Sequence, residues 1–371
     1  MISKNDRERK HLFPAVRRAA ALVLGVAWLT TMLILGGCSS SEKETSKAPV
    51  PLPAASQEKG EASISLEKQP DTVTPPPQEE KTKTTESSPV TIPVPPSGPL
   101  VEKIPGYKVS AEYLTLPSKH FSQNITAVSL PLDYEKNPDK SYPLVIVFGG
   151  AGECAKSPRE GALAWMRYYK TDEAVVALAS NHLDTNHFRG LVTPGHLRDF
   201  NRKLSARPYK GVILACPASP LISGQRGPEF PEYEAFVIDE LIPELKRRYR
   251  VADRSIGVDG VSMGGSRSMY YGFKYPEIFS SVGAVQGAFG PFMDIYRDLV
   301  TWNSGTLRKR QIQLITSDKD VMAPSVQKLH QMLVANKIPH SYLNLSGPHD
   351  YIFNQGPGAL ALLMFHDQAL R

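Results

Sequence analysis

The stretch "RSIGVDGVSMGGSRSMYYGFKYP", residues 254–276, constrains this chain more than any other. A short apolar run passes without a spacer through Gly-x-Ser-x-Gly into a segment of helical period. Met269 and Phe273 lie four apart there, and Pro276 stops the helix. A strand feeding a helix this tightly belongs to a parallel crossover, because antiparallel neighbours are joined by hairpins. The rest of the chain must therefore supply more parallel strands, and helices to cover both faces of their sheet.

It does. "YPLVIVFGG" (142–150) and "GVILACP" (211–217) are short branched apolar runs ended by glycine or proline, as expected of strands buried on both faces. "NITAVSLPL" (124–132), "FSSVGAVQGAF" (279–289), "RQIQLITS" (310–317) and "HSYLNLSG" (340–347) read as further strands. "PEYEAFVIDELIPELKRRYR" (231–250) and "VQKLHQMLVAN" (326–336) read as helices, the first expected to kink where Pro243 removes a backbone donor. The expected fold class is α/β: one domain over residues 106–371, with a mostly parallel sheet and no internal repeat. Residues 154–210 look long and irregular.

The N-terminal third is of another kind. Six basic and two acidic residues in positions 1–18 precede nineteen uncharged residues, 19–37, the layout of an export signal. The run ends in "LGGC", which resembles the site where bacterial lipoproteins are cleaved and acylated on the new N-terminal cysteine, here Cys38. A nineteen-residue apolar run could alternatively serve as an uncleaved membrane anchor. Ser39 after the cysteine resembles lipoproteins passed to the outer membrane, so the expected location is the bacterial cell envelope, with membrane contact through the N-terminal lipid. Residues 38–105 form the expected linker; between 39 and 100 it has twelve prolines and no Phe, Tyr or Trp, a composition expected to stay disordered.

The formal net charge of +6 at pH 7 includes this region. Setting aside the signal's excess of four positive charges and the linker's excess of three negative ones leaves the body near five positive charges. With no basic-aromatic motif, that gives no case for nucleic acid as a partner. Cys154 and Cys216 could pair or could be two small buried residues; no Cys/His cluster has metal-ligand spacing.

Ser262 falls at the carboxyl end of a strand and the start of a helix, where ligands bind in open α/β sheets. The Gly-x-Ser-x-Gly turn exposes such a serine, and Gly260 and Gly264 let strand and helix approach. A serine nucleophile needs a base and a group that orients the base. Only His349, in "SGPHDY", follows the last expected strand in a short loop; His366 sits in a terminal helical stretch and reads as structural. His182, His187 and His196 read as surface or lid residues. The acid should follow the preceding strand, where Asp320 is preferred and Asp318 is the alternative. Oxyanion donors are expected from the N–H groups of Met263 and of Gly150 and Ala151 in "GGAGE".

"FSQNITAVSLPLDYEKNPDKSYPLVIVFGGAG", "FVIDELIPELKRRYRVADRSIGVDGVSMGGSRSMYYGFKYPEIFSSV" and "SGPHDY" together resemble the esterase family that includes esterase D, feruloyl and acetylxylan esterases, and mycolyltransferases. The resemblance covers most of residues 112–353. It implies an α/β-hydrolase fold, no cofactor, a serine acyl-enzyme mechanism and an ester substrate, small or polysaccharide-linked. It supports Ser262, His349 and the loop at Gly150 and Ala151. The chain departs from the family in having Phe148-Gly149-Gly150 where His-Gly-Gly is common, and Ser317 to Asp320 where a Gly-x-x-Asp segment is common. An exported serine esterase is the leading expectation; an acyltransferase using the same acyl-enzyme, or a non-catalytic binding module of this fold, are the alternatives.

Overall fold

The computed structural model describes residues 98–222, 227–228 and 230–371. The expected signal, Cys38 and nearly all of the linker lie outside these residues. Among the described residues, nine strands form one sheet in the order β1-β2-β3-β5-β4-β6-β7-β8-β9. They are β1 Leu100–Lys103, β2 Ala111–Thr115, β3 Ile125–Ser129, β4 Tyr142–Phe148, β5 Ile213–Pro217, β6 Val251–Gly260, β7 Ser281–Val285, β8 Gln311–Lys319 and β9 Ser341–Pro348. From β5 through β9 every pairing is parallel, and β1, β2 and β3 extend the sheet antiparallel beyond β5.

Each strand expected between 124 and 347 is present. The folded body, however, begins before Gly106: β1 pairs with β2. All four β1 side chains are exposed, so this edge strand has no buried face to create a hydrophobic pattern.

Two apolar layers flank the sheet. Along β4, Leu144, Ile146 and Phe148 enter one layer while Val145 and Val147 enter the other, the period-two alternation of a strand covered on both sides. Helices α3 (Ile242–Arg248), α4 (Met263–Lys274), α5 (Met293–Leu307) and α6 (Ala323–Ala335) cover the first face, and α1 (Thr171–Ala179), α2 (Pro194–Ala206) and α7 (Ala359–Ala369) cover the second. Residues 154–210 are thus more regular than expected, carrying α1 and α2. Thr193 Oγ1 caps α2 by accepting the His196 N–H at 3.1 Å, and Pro194 opens it. At Pro243, where a kink is expected, the helix carries a widened π turn, Phe236–Leu241, directly before α3. Such a turn accommodates the missing backbone donor without breaking the helix.

α7 is anchored by a buried polar chain as well as by leucines. His366 contacts Ser281 Oγ through Nδ1 at 2.7 Å and Asp259 Oδ2 through Nε2 at 3.0 Å, with all three residues inaccessible to solvent. Burial pushes the Asp259 carboxyl up, while the hydrogen bond to His366 opposes that shift. Gly283 makes room for it, since a Cβ there would lie 1.9 Å from Asp259 Oδ2. His366 is structural, as expected. Among the described residues, no helix is long and apolar enough to cross a membrane.

Removing one partner of a buried carboxylate–histidine pair costs about 3–5 kcal/mol because the other is left uncompensated. His366→Ala should therefore lower the unfolding free energy by about that amount, and Ser281→Ala, which leaves a buried ring nitrogen unpaired, by about 1–3 kcal/mol. Urea denaturation of the two variants beside the parent measures both.

Candidate active site

β6 ends at Gly260, and the chain turns through Ser262 into α4. Ser262 has φ 55° and ψ −117°, a conformation strained for any side chain-bearing residue. Its neighbours hold it there. The Ser262 N–H donates to the Val285 carbonyl at 2.9 Å, and its own carbonyl accepts the Ala288 N–H at 3.0 Å. A Cβ on Gly260 would sit 2.3 Å from the Gly264 backbone, and one on Gly264 would sit 2.4 Å from the Phe148 carbonyl oxygen. Only glycine lets strand, helix and the end of β4 pack so closely.

The structure brings Ser262, His349 and Asp320 together. His349, just after β9, places Nε2 3.0 Å from Ser262 Oγ and Nδ1 2.7 Å from Asp320 Oδ1. The Asp320 side chain is fully buried, and that of His349 is 19% exposed, so the ring lies at the boundary between core and solvent. Asp320 is fixed by two more donors, the Met322 N–H to Oδ1 at 2.8 Å and the Thr316 hydroxyl to Oδ2 at 2.7 Å. Asp318, the alternative acid, is used elsewhere: its Oδ1 accepts the Gly347 N–H at 2.8 Å, tying β9 to the end of β8.

The expected oxyanion donors divide. The Met263 and Ala151 N–H groups each open a helical turn and have no protein acceptor among the described residues. The Gly150 N–H does not meet its expectation, because it donates to the Tyr169 hydroxyl at 3.0 Å. That hydroxyl in turn donates to buried Glu153, which also accepts the Tyr351 hydroxyl at 2.5 Å. The loop after β4 is therefore fastened to the segment that follows His349.

Four residues of this surround were not anticipated. Glu153, Tyr169 and Tyr351 are distant in sequence and carry no common motif. Gln286, at φ 49°, donates through Nε2 to Ser317 Oγ at 2.7 Å and to the Pro348 carbonyl at 3.0 Å, directly before His349. Its signal was a lone polar residue at the carboxyl end of an apolar strand. Cys154 and Cys216 are both free thiols; burial pushes Cys154 up to about 11 and Cys216 higher still, so neither is an activated nucleophile. His182, His187 and His196 lie on residues 154–210, where His187 Nδ1 accepts the Asp184 N–H and the His196 N–H caps α2. Among the described residues, no cluster of His, Cys, Asp or Glu could hold a metal ion.

A parallel sheet with a serine on the strand-to-helix turn and an acid and a histidine after the next strands has one architectural name. The fold is the α/β-hydrolase fold. Residues 214–332 match the model of the family described as "Putative esterase", a stretch holding Ser262, Met263 and Asp320 but not His349 or Ala151. Among solved structures, a ferulic acid esterase is similar with a TM-score of 0.53 and 18% identity, covering 71% of this chain and 99% of that one. An S-formylglutathione hydrolase from Agrobacterium tumefaciens aligns at TM-score 0.47 and 14% identity, covering 74% of this chain and 100% of the other. A ferulic acid esterase from Anaeromyces mucronatus aligns at 0.42 and 17%, covering 76% and 94%. No curated protein matches the sequence. The resemblance read from the sequence stands, and the family match supports carboxylic ester hydrolysis.

The packing of this α/β-hydrolase turn is testable without any substrate. Gly264→Ala, whose Cβ would press on backbone, should destabilise by about 1–3 kcal/mol. Gly152→Ala, whose Cβ meets only the Tyr351 hydroxyl at 3.5 Å, should stay within about 1 kcal/mol of the parent in the same urea titration.

Proposed function

We propose that the protein is an exported, lipid-anchored serine esterase that hydrolyses carboxylic esters through an acyl-enzyme. The observation that carries this reading is the unbroken chain Ser262 Oγ, His349, Asp320, at 3.0 and 2.7 Å, on a strained turn at the sheet's carboxyl edge. Ser262 Oγ attacks the ester carbonyl while His349 Nε2 takes its proton. Asp320 accepts the Nδ1–H, fixing the tautomer and stabilising the imidazolium. The Met263 and Ala151 N–H groups face the developing oxyanion. His349 then returns the proton to the leaving alcohol, and a water activated by the same histidine releases the acid.

Export and anchoring rest on the N-terminal pattern alone, with Cys38 as the acylated residue and the bacterial cell envelope, at the outer membrane, as the location. Aromatic or acetyl esters carried on polysaccharides are the substrates to try first. The similarity of fold to a ferulic acid esterase motivates the aromatic arm of that panel.

Ser262→Ala should lower kcat on a responsive ester about a millionfold and abolish labelling by a fluorophosphonate, with the fold retained. Asp320→Asn should lower kcat about ten-thousandfold through the wrong imidazole tautomer. Asp318→Asn, which keeps an acceptor for Gly347, should stay within a few-fold. Full labelling and turnover in Ser262→Ala would remove the reading.

The oxyanion assignment has its own test. Gly150 is already extended, at φ −72° and ψ 178°, as the residue before a proline must be, and Ala151 is the first residue of a helical turn, where proline is tolerated. Ala151→Pro thus deletes one N–H with little else, and kcat should fall about 100- to 1000-fold while KM changes little.

A further inference from the structure

α4 carries a charge that the proposed reaction does not use. Arg267, five residues after Ser262, is fully buried, and among the described residues only Trp165 is a larger side chain so enclosed. An arginine keeps its charge in any protein setting. Yet no carboxylate among the described residues pairs with it. Its hydrogen bond runs from Nη2 to the Pro220 carbonyl at 2.9 Å, and Nε and Nη1 have no acceptor. The ring centroids of Tyr233 and Phe148 lie 5.0 and 5.8 Å from Cζ. Glu153, a buried carboxylate on the neighbouring turn, is bonded to the Tyr169 and Tyr351 hydroxyls instead.

Packing does not account for this residue. Dehydrating a guanidinium is costly, and two rings and one carbonyl offset that only in part. A methionine would fill similar space without the cost, as apolar residues that replace buried ions commonly do. No ligand reaches the group either, since none of its surface is exposed. A sealed charge can still act through its field, and the low dielectric that makes it costly also strengthens that field.

The field falls where the proposed reaction develops charge. Phe148 and Cys154 bracket the turn that carries the Ala151 N–H. The guanidinium lies over the Phe148 ring; burial pushes the Cys154 thiol up, and Arg267 is the charge that most opposes this. Arg267 also stands four residues after Met263, a rise of about 6 Å, and helical side chains lean toward the helix N-terminus. Both N–H groups expected to face the oxyanion therefore have the same buried cation behind them.

We propose that Arg267 is a fixed positive charge behind the Ser262 turn, favouring the negative charge that forms there as an ester carbonyl is attacked. This rests on the serine esterase reading. The role is electrostatic, because Arg267 touches neither the substrate nor the reacting atoms. At about 10 Å and an effective dielectric of about 20, a unit charge changes such a rate about tenfold.

The Ser262→Cys variant of the full-length protein reads this potential whether or not the parent hydrolyses an ester. Iodoacetamide alkylation against pH, followed at residue 262 by mass spectrometry, gives the apparent pKa of the new thiol. Adding Arg267→Met should raise it by about one unit, since a thiolate loses a nearby cation. Arg267→Gln, which also removes the charge but keeps an amide donor for Pro220, should raise it equally. In the Ser262 enzyme both substitutions should lower kcat on a responsive ester about tenfold with KM within about twofold, and urea denaturation checks that each variant is folded. An unchanged thiol pKa would overturn the proposal. So would recovery of the parental pKa or kcat in Arg267→Gln, the mark of a merely structural tie to Pro220. If the thiol shifts as expected while the parent turns over no ester, the field stands and the esterase reading fails.

Discussion

Everything at the candidate site depends on the backbone of Ser262 staying in a conformation that it would not choose. A non-glycine residue at φ 55° carries a cost on the order of 1–3 kcal/mol. The two backbone hydrogen bonds to Val285 and Ala288, worth about 1 kcal/mol each, offset it only because β7 lies directly alongside β6. That in turn requires Gly260 and Gly264, whose missing side chains leave space for the α4 backbone and the end of β4. One steric fact thus lifts the hydroxyl out of the sheet, aims the Met263 N–H, and sets the Ala151 loop beside it.

The parallel sheet supplies the partners by geometry. Strands β6, β7, β8 and β9 all end on the same edge, so residues after β8 and β9 reach the serine although they are 58 and 87 positions away in the chain. What remains is angular precision, which comes from the residues around them. Thr316 holds Asp320 Oδ2 while the Met322 N–H shares Oδ1 with the imidazole, and Gln286 holds the carbonyl before His349. Glu153, bridging the hydroxyls of Tyr169 and Tyr351, joins the loop after β4 to the histidine loop, so the two cannot drift independently.

How far such a site is legible in a sequence follows from whether each contact is local. β4, β5 and β7 could be read because strands buried on both faces are nearly uniformly apolar, and the turn at Ser262 because its glycines are forced by adjacent backbone. His349 and Asp320 could be read because topology alone limits them to two short loops. Asp320 over Asp318 was a preference only: the choice is made by Thr316, Met322 and Gly347, contacts across loops that no periodicity encodes. β1 was hidden by its exposed side chains, and Gly150 was misjudged because its N–H is taken by Tyr169, nineteen residues on.

The molecule also contains its own control for reading residue types as chemistry. Ser281, His366 and Asp259 form a second serine–histidine–aspartate chain, at 2.7 and 3.0 Å, as close as the first. Yet Ser281 opens β7 in ordinary extended backbone, none of the three residues touches solvent, and Asp259 bonds the His366 Nε2 rather than Nδ1. No substrate carbonyl can reach that hydroxyl, and a charge forming there would meet no free helix-terminal N–H. The same three side chains therefore lock a helix to the sheet in one place and make a hydroxyl available in the other. What separates them is backbone and burial: the first hydroxyl sits at a positive φ at the edge of the sheet, and the second is sealed inside it.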